Sequence, residues 1–586
     1  MKKKLIKILV LVLLISCHSK DKVQAANYSY NASQASTISS KTFAAGDVIT
    51  LQNGNWSDKN ITIKGNGTQD NPILVNAQTA GEVIFTGSSR LTIDGKYIEV
   101  SGILFSGNST VGTNHVLTFS KNSANCRFTN SAIVSYNPAT ASGWATTDNK
   151  WVSINGTSNR VDHCYFENKR NIGTLLVVWL VDDESAKHKI DNNHFYKRVS
   201  LLDEDEKELN GQETIRIGDS KTSMTSANCI IESNFFEECD GEIEIISNKS
   251  CGNIYRNNVF YNNNAMLTLR HGNACEVSGN YFFGKEQPGS GGVRIIGENH
   301  NVFNNYFQDL KGSGYRTGVC MVNGKTNSAL SEYFQVKNAL VAFNTFYNCA
   351  NAFNIGYSGG EDLAPVTSTI AHNVVFATSN SQIGVKISNA ASEITWQNNL
   401  MYQGKHTSFS PSESQFKRVT TSLNFQSSNT EYGIYKPQSN SIIVSQYRTS
   451  AYPEITMDIE GKTRESQRMI GAFEYNGNLS LSVPTPQTAG CSFINKATTG
   501  AGNLSVNNPA YFISNLRTEN NVLHIEAVID RLNLRIYDVK GLVINAQSAQ
   551  SVTNSFTFEI PDSLKGFYLF VFDGGGAKEI RKIIIG

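Results

Sequence analysis

The sequence predicts an all-β protein, a right-handed parallel β-helix with an asparagine ladder, followed by a small C-terminal β-sandwich. Three observations support this fold class. The 586 residues include 46 glycines and 10% aromatic residues, a composition typical of turn-rich β structure. A short phrase recurs through the middle of the chain, and alternating apolar runs follow from about residue 507.

The recurring phrase is an asparagine, one further residue and then an aromatic or bulky apolar residue. Copies include "NNHF", "SNFF", "NNVF", "GNYF" and "NNYF". Their spacing has a base period of 22 to 26 residues with longer insertions, which suits one β-helix coil pairing with neighbours about 4.8 Å away. An asparagine at the same turn of every coil can bond to the next one. The predicted ladder comprises Asn193, Asn234, Asn258, Asn280, Asn305, Asn344, Asn373 and Asn399.

Both ends of the chain carry features of an exported protein. Residues 1–25 combine lysines with a short apolar run, which predicts an export signal. "LISC" within it is a candidate lipobox that would place a lipid on Cys17, and cleavage after Ala25 is the alternative. We expect the β-helix to span residues 26–476, a linker to span 477–506 and the β-sandwich to span 507–586.

The last of these segments contains "IYDVKG", "LKGFYLF" and a basic, apolar end. It resembles the C-terminal sorting domain of secreted Bacteroidetes proteins. We therefore expect an exported protein that is periplasmic, lipid-anchored in the outer membrane, or secreted. Contact with a membrane is expected only through the lipid anchor.

Bulk charge and cysteine content exclude other classes. The net charge of +1 gives no indication of nucleic-acid binding, so no nucleic-acid partner is expected. We expect a monomer. Ten cysteines occur without a C-x-x-C pair, and most lie beside strand-like runs, which predicts small buried side chains rather than a zinc or disulfide framework.

The stretch "GEIEIISNKS" places two like charges close together. Its alternation predicts Glu242 and Glu244 on one face of a strand and Ile243 and Ile245 on the other. Carboxylates this close repel each other. The arrangement indicates that a cation lies nearby.

The distance of each charged stretch from the repeated asparagine of its coil predicts equivalent strands in successive coils. These strands are "ETIRIG", "GEIEII", "MLTLRH" and "GGVRII". Stacking them predicts one outer row of Arg216, the two glutamates, Arg270 and Arg294. Lys249 ends the second strand of this set. A solvated charge ladder is the alternative, but the chain is poor in charge, at 17%, and the row mixes signs in a specific order.

This row contains the groups needed for β-elimination on a uronic-acid polymer. Glu242 and Glu244 suit Ca²⁺, which prefers carboxylate and carbonyl oxygens, and Arg216 with Arg270 is a second source of neutralisation. Neutralising the substrate carboxylate stabilises the charge that builds up when the C5 proton leaves. Neighbouring cations favour the neutral form of a lysine, so Lys249 is the candidate base. Arg270 is the candidate donor to the departing O4.

"NGQETIRIG", "GEIEIISNKS" and "LRHG" are similar to the core motifs of polysaccharide lyase family six, the alginate lyases and chondroitinase B-type enzymes. The resemblance covers roughly residues 27–475. It implies a parallel β-helix lyase with Lys249 as base and Arg270 as acid.

The same resemblance implies further roles. Asn210, Glu242 and Glu244 would hold calcium, His271 would assist the acid, and Arg294 would bind substrate.

Two of these positions have alternatives. Strict alternation points His271 inward if Arg270 points outward, whereas a turn at Gly272 would bring the imidazole into the groove. Arg216 either supports the glutamates or contacts substrate. Both alternatives stay open at the level of sequence.

The expected partner is an anionic uronic-acid polysaccharide, and alginate is favoured over dermatan sulfate. Sulfate recognition would call for basic residues in later coils, yet residues 338–362 contain none. Lys249 and Arg270 come from adjacent strands and approach the sugar from a similar direction, which suits syn elimination and mannuronate. The alternatives are a dermatan sulfate (chondroitin B) lyase, a pectate lyase and a non-catalytic β-helix that binds polysaccharide. The absence of a Gly-His-Gly motif argues against a polygalacturonase-type hydrolase.

Overall fold

The computed structural model of the chain describes residues 25–389, 392–428, 432–475 and 481–494, together with seven strands and residues 560–561 in the C-terminal region. Residues 1–24 of the predicted export signal, with Cys17, lie outside the described residues. Within the described residues, no helix is both long and apolar enough to cross a membrane. The chain divides into two compact units, residues 1–500 and 501–586.

The first unit is a right-handed parallel β-helix, as predicted. It contains three parallel sheets of 14 strands each, and every full coil passes through sheet A, then sheet B, then sheet C. Sheet A consists of Asn27–Tyr30, Val48–Leu51, Ile73–Ala77, Ile98–Ser101, Arg127–Thr129, Arg160–Asp162, Lys189–Asp191, Ile230–Glu232, Ile254–Arg256, Glu276–Ser278, Asn301–Phe303, Leu340–Ala342, Thr369–Ala371 and Thr395–Gln397. Sheet B consists of Gly54–Ser57, Val83–Gly87, Ile103–Ser109, Ala132–Asn137, Tyr165–Glu167, His194–Arg198, Phe235–Cys239, Val259–Tyr261, Tyr281–Phe283, Tyr306–Gln308, Thr345–Tyr347, Val374–Phe376, Asn399–Tyr402 and Phe416–Val419. Sheet C consists of Thr42–Phe43, Asn60–Asn66, Arg90–Lys96, Leu117–Phe119, Val152–Ile154, Leu176–Val178, Ile215–Gly218, Glu244–Lys249, Met266–His271, Val293–Ile295, Val319–Val322, Asn351–Tyr357, Ile383–Ile387 and Lys405–Thr407.

A few short elements lie outside the three sheets. The helical segments are Ala32–Gln34, Ala35–Ser40, Ala141–Thr146 and Ile442–Gln446. Two antiparallel strand pairs follow the last coil: Phe425–Ser427 with Tyr435–Pro437, and Arg448–Thr449 with Arg468–Met469.

The asparagine ladder is confirmed. The eight predicted asparagines lie where the chain passes from sheet A to sheet B, and seven side-chain hydrogen bonds link each one to its counterpart in the next coil, from Asn193 to Asn399, as in the Asn258 Nδ2–Asn280 Oδ1 hydrogen bond of 3.0 Å. The aromatic residues of the repeat stack inside the helix, with ring centroids 4.6 to 5.1 Å apart: Phe166, Phe195, Phe236, Phe260, Phe282, Phe307 and Phe346. The repeat thus supplies both the polar turn and the apolar core of each coil.

Replacing one rung of the ladder is expected to destabilise the fold strongly. Asn258 is fully buried, donates to Asn280 and to the Ile231 carbonyl, and accepts from the backbone and side chain of Asn234. Asn258→Ala leaves several buried polar groups without partners, at a cost of about 2–4 kcal/mol. Urea unfolding measures this loss, with the exposed Asn55→Ala as control. Equal stability of the two variants would contradict a structural role for the ladder.

The nine described cysteines are all buried, which confirms their prediction as small core side chains. Part of the predicted linker lies against the β-helix. Val483 and Ala489 pack with Phe235 and Val259 of sheet B, and the Gly490 N–H donates to a carbonyl of the sheet A–B turn.

The described strands of the second unit form two antiparallel sheets, in agreement with a small C-terminal β domain. One contains Ile513–Glu519, Val522–Ala527 and Ser555–Glu559, and the other contains Val543–Gln550, Arg531–Tyr537, Gly566–Gly574 and Ala577–Ile585.

Candidate active site

Consecutive strands of sheet C carry the predicted site residues. As predicted, "ETIRIG", "GEIEII", "MLTLRH" and "GGVRII" contribute to adjacent strands of one sheet. The register differs from the prediction, because Arg216 aligns with Ser247, then Thr268, then Arg294. The expected row with the glutamates and Arg270 directly between Arg216 and Arg294 is therefore wrong.

An irregularity at the start of the second strand explains where the glutamates lie. The pairing with the next strand shifts between Glu244 and Ile246, which leaves Ile245 as an extra residue. Ile245 and Ile246 are consecutive and both buried in the core, so the predicted alternation of faces fails at this point. Glu242 lies before the strand begins and is only 9% exposed. A bulge re-aims side chains in this way without any signal in the apolar pattern.

A second irregularity positions the candidate acid. Asn248 pairs with Leu269, but Lys249 pairs with His271, so Arg270 is the extra residue on its strand. The candidate base and the candidate acid therefore lie on adjacent strands at the same end. This arrangement agrees with the adjacency that the sequence predicts.

The structure places His271 in a buried position beside the candidate acid. Its imidazole is 2% exposed, with Nε2 3.3 Å from the Ser220 hydroxyl and Nδ1 3.5 Å from Nη1 of Arg270. The ring thus lies beside the candidate acid. Burial, with Arg270 and Lys249 nearby, lowers the pKa of His271 to about 3, so the ring is neutral at neutral pH.

Three carboxylates converge beside these strands. Glu213, Glu242 and Glu244 each place an oxygen within 4.8 Å of the others. Glu213 is absent from the residues predicted by the sequence. It lies just before the strand Ile215–Gly218, and the Thr214 N–H donates to the Ile245 carbonyl at 3.0 Å, which brings it level with the glutamates. Aligning "ETIRIG" with "GEIEII" by strand register rather than by charge would have found it.

The cluster has the donor chemistry of a hard-cation site. Burial, followed by the charges of Glu213 and Glu244, raises the pKa of Glu242 to about 8, although the Gly211 N–H donates to its Oε2 at 3.0 Å. A divalent cation would offset the repulsion between these buried carboxylates, and carboxylate oxygens are ligands that Ca²⁺ prefers. Asn210, implied as a further ligand, is exposed and directly precedes Gly211. The three carboxylates fit a calcium ion.

The pKa of Glu242 predicts how pH affects the metal-free protein. A carboxyl group whose pKa is raised in the folded state contributes stability that is full below its unfolded pKa and is lost as pH rises through its folded pKa. In chelator, the free energy of unfolding of the wild type should therefore fall by about 3 kcal/mol relative to that of Glu242→Gln between pH 5 and 8. Urea unfolding at several pH values tests this, with the exposed Glu82→Gln as control. Parallel pH profiles for wild type and Glu242→Gln would contradict it.

Cations surround the cluster, but not those that the sequence predicts as neutralisers. Nζ of Lys249 lies 3.7 Å from Glu213, and Nη1 of Arg294 lies 3.9 Å from Glu244. The ion pairs recorded among the described residues thus use Lys249 and Arg294 rather than Arg216 and Arg270. The expectation for Arg216 and Arg270 is wrong because the register places neither beside a glutamate.

A fully buried arginine lies under the cluster. The Arg198 guanidinium donates only to backbone carbonyls, and burial lowers its pKa to about 10 although Glu242 and Glu213 oppose this. A Cβ atom on Gly241 would come within 2.8 Å of Cγ of Arg198. The glycine before Glu242 therefore permits this close approach.

Aromatic side chains contact Arg216, Arg270 and Arg294. The Arg270 guanidinium lies 4.3 Å from the Tyr333 ring centroid and donates to the Glu332 carbonyl at 3.2 Å. Arg294 donates to the Tyr333 hydroxyl at 3.1 Å, and Arg216 lies 5.2 Å from the Trp179 ring. Tyr333 and Trp179 lie in loops outside the strands, so the repeat gives no signal for them.

The match with known families agrees with this geometry. Residues 31–453, more than half of the chain, match the family described as Chondroitinase B. The chain belongs to the chondroitinase B family. Residues 518–586 match the secretion system C-terminal sorting domain, which indicates export. Both resemblances seen in the sequence are thereby confirmed. A comparison with curated proteins gave no match.

Solved structures similar to this member of the chondroitinase B family include polysaccharide lyases. The PL6 family alginate lyase AlyGC is 29% identical, with a TM-score of 0.68 over 80% of this chain and 59% of that chain. A mannuronic acid specific polysaccharide family 6 lyase from human gut microbiota is 30% identical, with a TM-score of 0.61 over 68% of this chain and 92% of that one. The PL6 family polysaccharide lyase Pedsa3628 from Pseudopedobacter saltans is 26% identical, with a TM-score of 0.55 over 68% of this chain and 100% of that one. The chain thus spans 59% of the length of AlyGC.

Proposed function

We propose that the protein is a polysaccharide lyase that cleaves alginate by β-elimination, with a preference for mannuronate-containing blocks. The observation that carries the proposal is the placement of Lys249 and Arg270 at the same end of adjacent strands, with Nζ of Lys249 3.7 Å from Glu213, one of three converging carboxylates. Membership of the chondroitinase B family and the similarity to PL6 lyases support it.

In this proposal, the amine of Lys249 removes the C5 proton of the uronate. The electron pair of the C5–H bond forms the C4–C5 double bond, and the C4–O4 bond breaks. The Arg270 guanidinium gives a proton to the departing O4. His271, which is neutral, orients Arg270, since its Nδ1 lies 3.5 Å from that guanidinium.

We further propose that Asn210, Glu242 and Glu244 hold Ca²⁺, and we add Glu213 to this ligand set because it completes the carboxylate cluster. A bound Ca²⁺ would neutralise the uronate carboxylate and so acidify the C5 proton. Arg294 and Arg216 bind the acidic groups of neighbouring sugars. Arg216 is partly exposed above the Trp179 ring, which favours substrate contact over support of the glutamates.

The preference for mannuronate rests on direction of approach. Base and acid on adjacent strands reach the sugar from a similar side, which suits the syn arrangement of H5 and O4 in mannuronate. The relative described as mannuronic acid specific is 30% identical to this chain. Dermatan sulfate is the second candidate substrate, favoured by the match of residues 31–453 to the Chondroitinase B family.

A panel of polymannuronate, polyguluronate, dermatan sulfate and pectate, each with and without chelator, tests the proposal. Elimination is followed by the ultraviolet absorbance of the unsaturated uronate product. We expect the largest rate on polymannuronate and a loss of rate in chelator. Faster cleavage of polyguluronate would overturn the block preference, and cleavage of dermatan sulfate alone would replace alginate as substrate. Binding of all four polysaccharides without formation of an unsaturated product would indicate a non-catalytic β-helix that binds polysaccharide.

For localisation, we propose that the exported protein is anchored through a lipid on Cys17. The candidate lipobox supports this, while the C-terminal sorting domain is equally consistent with release. Labelling of the native protein with a radioactive fatty acid, compared with Cys17→Ser, separates the two. An unlabelled wild-type protein in the medium would favour secretion.

A further inference from the structure

A cleft of about 560 Å³ lies on the coils that precede the carboxylate cluster. Its lining includes Lys96, Lys121, Asn155, Thr157 and Trp179. A second cavity of about 430 Å³ shares Lys96 with it and adds Lys64. The two cavities therefore form one surface along the sheet C side of the β-helix.

This surface is continuous with the candidate active site. Trp179 lines the cleft, and its ring also lies 5.2 Å from the Arg216 guanidinium. Lys121 follows the strand Leu117–Phe119, which lies four strands before Glu244–Lys249 in sheet C. At the spacing of paired strands, this separation is about 19 Å along the helix axis. A chain bound at Lys249 can extend along the sheet to the lysines.

Three lysines and two carboxylates line this surface. Lys64, Lys96 and Lys121 are exposed, and no ion pair is recorded for them within the described part of the chain. Two carboxylates line the cavities, those of Glu184 and Asp94. Asp94 already accepts hydrogen bonds from the Ser120 hydroxyl at 2.6 Å and from the Asn122 amide at 3.0 Å.

The chemistry of the lining suits an acidic sugar chain. Amide and hydroxyl groups of Asn155 and Thr157 can bond to sugar hydroxyls, and the Trp179 ring offers an apolar face to sugar C–H groups. The other end of the site is lined differently. There Tyr315, Tyr333 and Tyr357 pack together over a buried cluster of Ile296, Cys320 and Val322. The cationic lining thus lies on the N-terminal side of the site.

We infer that the surface formed by Lys64, Lys96, Lys121 and Trp179 is a remote binding site for the uronate chain that is being cleaved. Carboxylates of sugars several units from the scissile bond pair with the lysines. The site therefore selects long chains over short oligosaccharides. This inference rests on the proposed function, since the bound polymer is taken to be its substrate.

The test compares a polymer with a tetrasaccharide of the same uronate. In the double variant Lys96→Glu/Lys121→Glu, kcat/KM should fall about tenfold on polymannuronate, as two charge contacts become repulsive. The value for the tetrasaccharide, which is too short to reach Lys121, should stay within about twofold of wild type. Lys285→Glu makes the same charge change on an exposed turn after a sheet B strand and should alter neither value.

A binding measurement separates this inference from the proposed function. Calorimetry with polymannuronate in the Lys249→Ala background should show about tenfold weaker binding when Lys96 and Lys121 are also reversed in charge. The remote site would be refuted if the charge-reversed protein bound polymannuronate as tightly as the Lys249→Ala protein. It would also be refuted if the double variant lost kcat/KM equally on the tetrasaccharide and on the polymer. Neither result would contradict the proposed lyase activity. A wild type that produces no unsaturated uronate but binds the polymer through the lysines would refute the proposed function alone.

Discussion

Lys249→Ala is expected to abolish elimination while the β-helix stays folded. Lys249 lies at the end of its strand, about one fifth of its side chain is exposed, and its Nζ is 3.7 Å from Glu213. Among the described residues, no other lysine lies at the end of a strand beside the carboxylate cluster, so none can replace the Lys249 amine. Loss of a general base costs about a hundredfold to ten-thousandfold in rate. Initial rates on polymannuronate, followed by ultraviolet absorbance, measure this loss.

The control for this prediction is Lys285→Ala, which removes an exposed lysine from the turn that follows the sheet B strand Tyr281–Phe283. Circular dichroism and thermal unfolding establish that both variants are folded. A folded Lys249→Ala protein that keeps more than about one tenth of the wild-type rate would exclude Lys249 as the base. The companion variant Arg270→Ala should show a similar loss, because O4 would leave without a proton.

Glu244→Gln is expected to remove calcium binding and activity together. Its carboxylate is one of three that meet within 4.8 Å, and it lies 3.9 Å from Nη1 of Arg294. Removing one of three charged ligands weakens a hard-cation site severely, and we expect at least about a hundredfold loss of calcium affinity. Calorimetric titration of the chelator-treated protein with Ca²⁺ measures affinity without relying on turnover. Glu213→Gln should behave in the same way, since Glu213 completes the cluster.

The matched control is the exposed Glu82→Gln, which should bind Ca²⁺ as the wild type does. If the wild type binds no Ca²⁺ and chelator has no effect on rate, the calcium proposal fails. Neutralisation of the substrate carboxylate would then come from Arg294, whose Nη1 already lies 3.9 Å from Glu244. The lyase proposal would survive this result without its cofactor.

The fold could be predicted from the sequence because the residues that form each coil are close together in the chain and recur from coil to coil. Each coil repeats an asparagine for the turn and an aromatic residue for the core, as at Asn258 and Phe260. A side chain that bonds or stacks on its counterpart one coil away imposes a period on the chain. The period also placed Arg216, Arg270 and Arg294 on one sheet, as the structure confirms.

The arrangement of the site was decided only by the tertiary structure. Two bulges, at Ile245 and at Arg270, shift the register without disturbing the apolar pattern, so the side chains beside Glu242 could not be read from alternation. Glu213 joins the cluster because its strand aligns with the next one, and Tyr333 reaches Arg270 from a long loop. Sequence periodicity reports which face of a strand is buried. Which groups meet at the end of a strand depends on bulges and loop paths, and these are set by packing between coils.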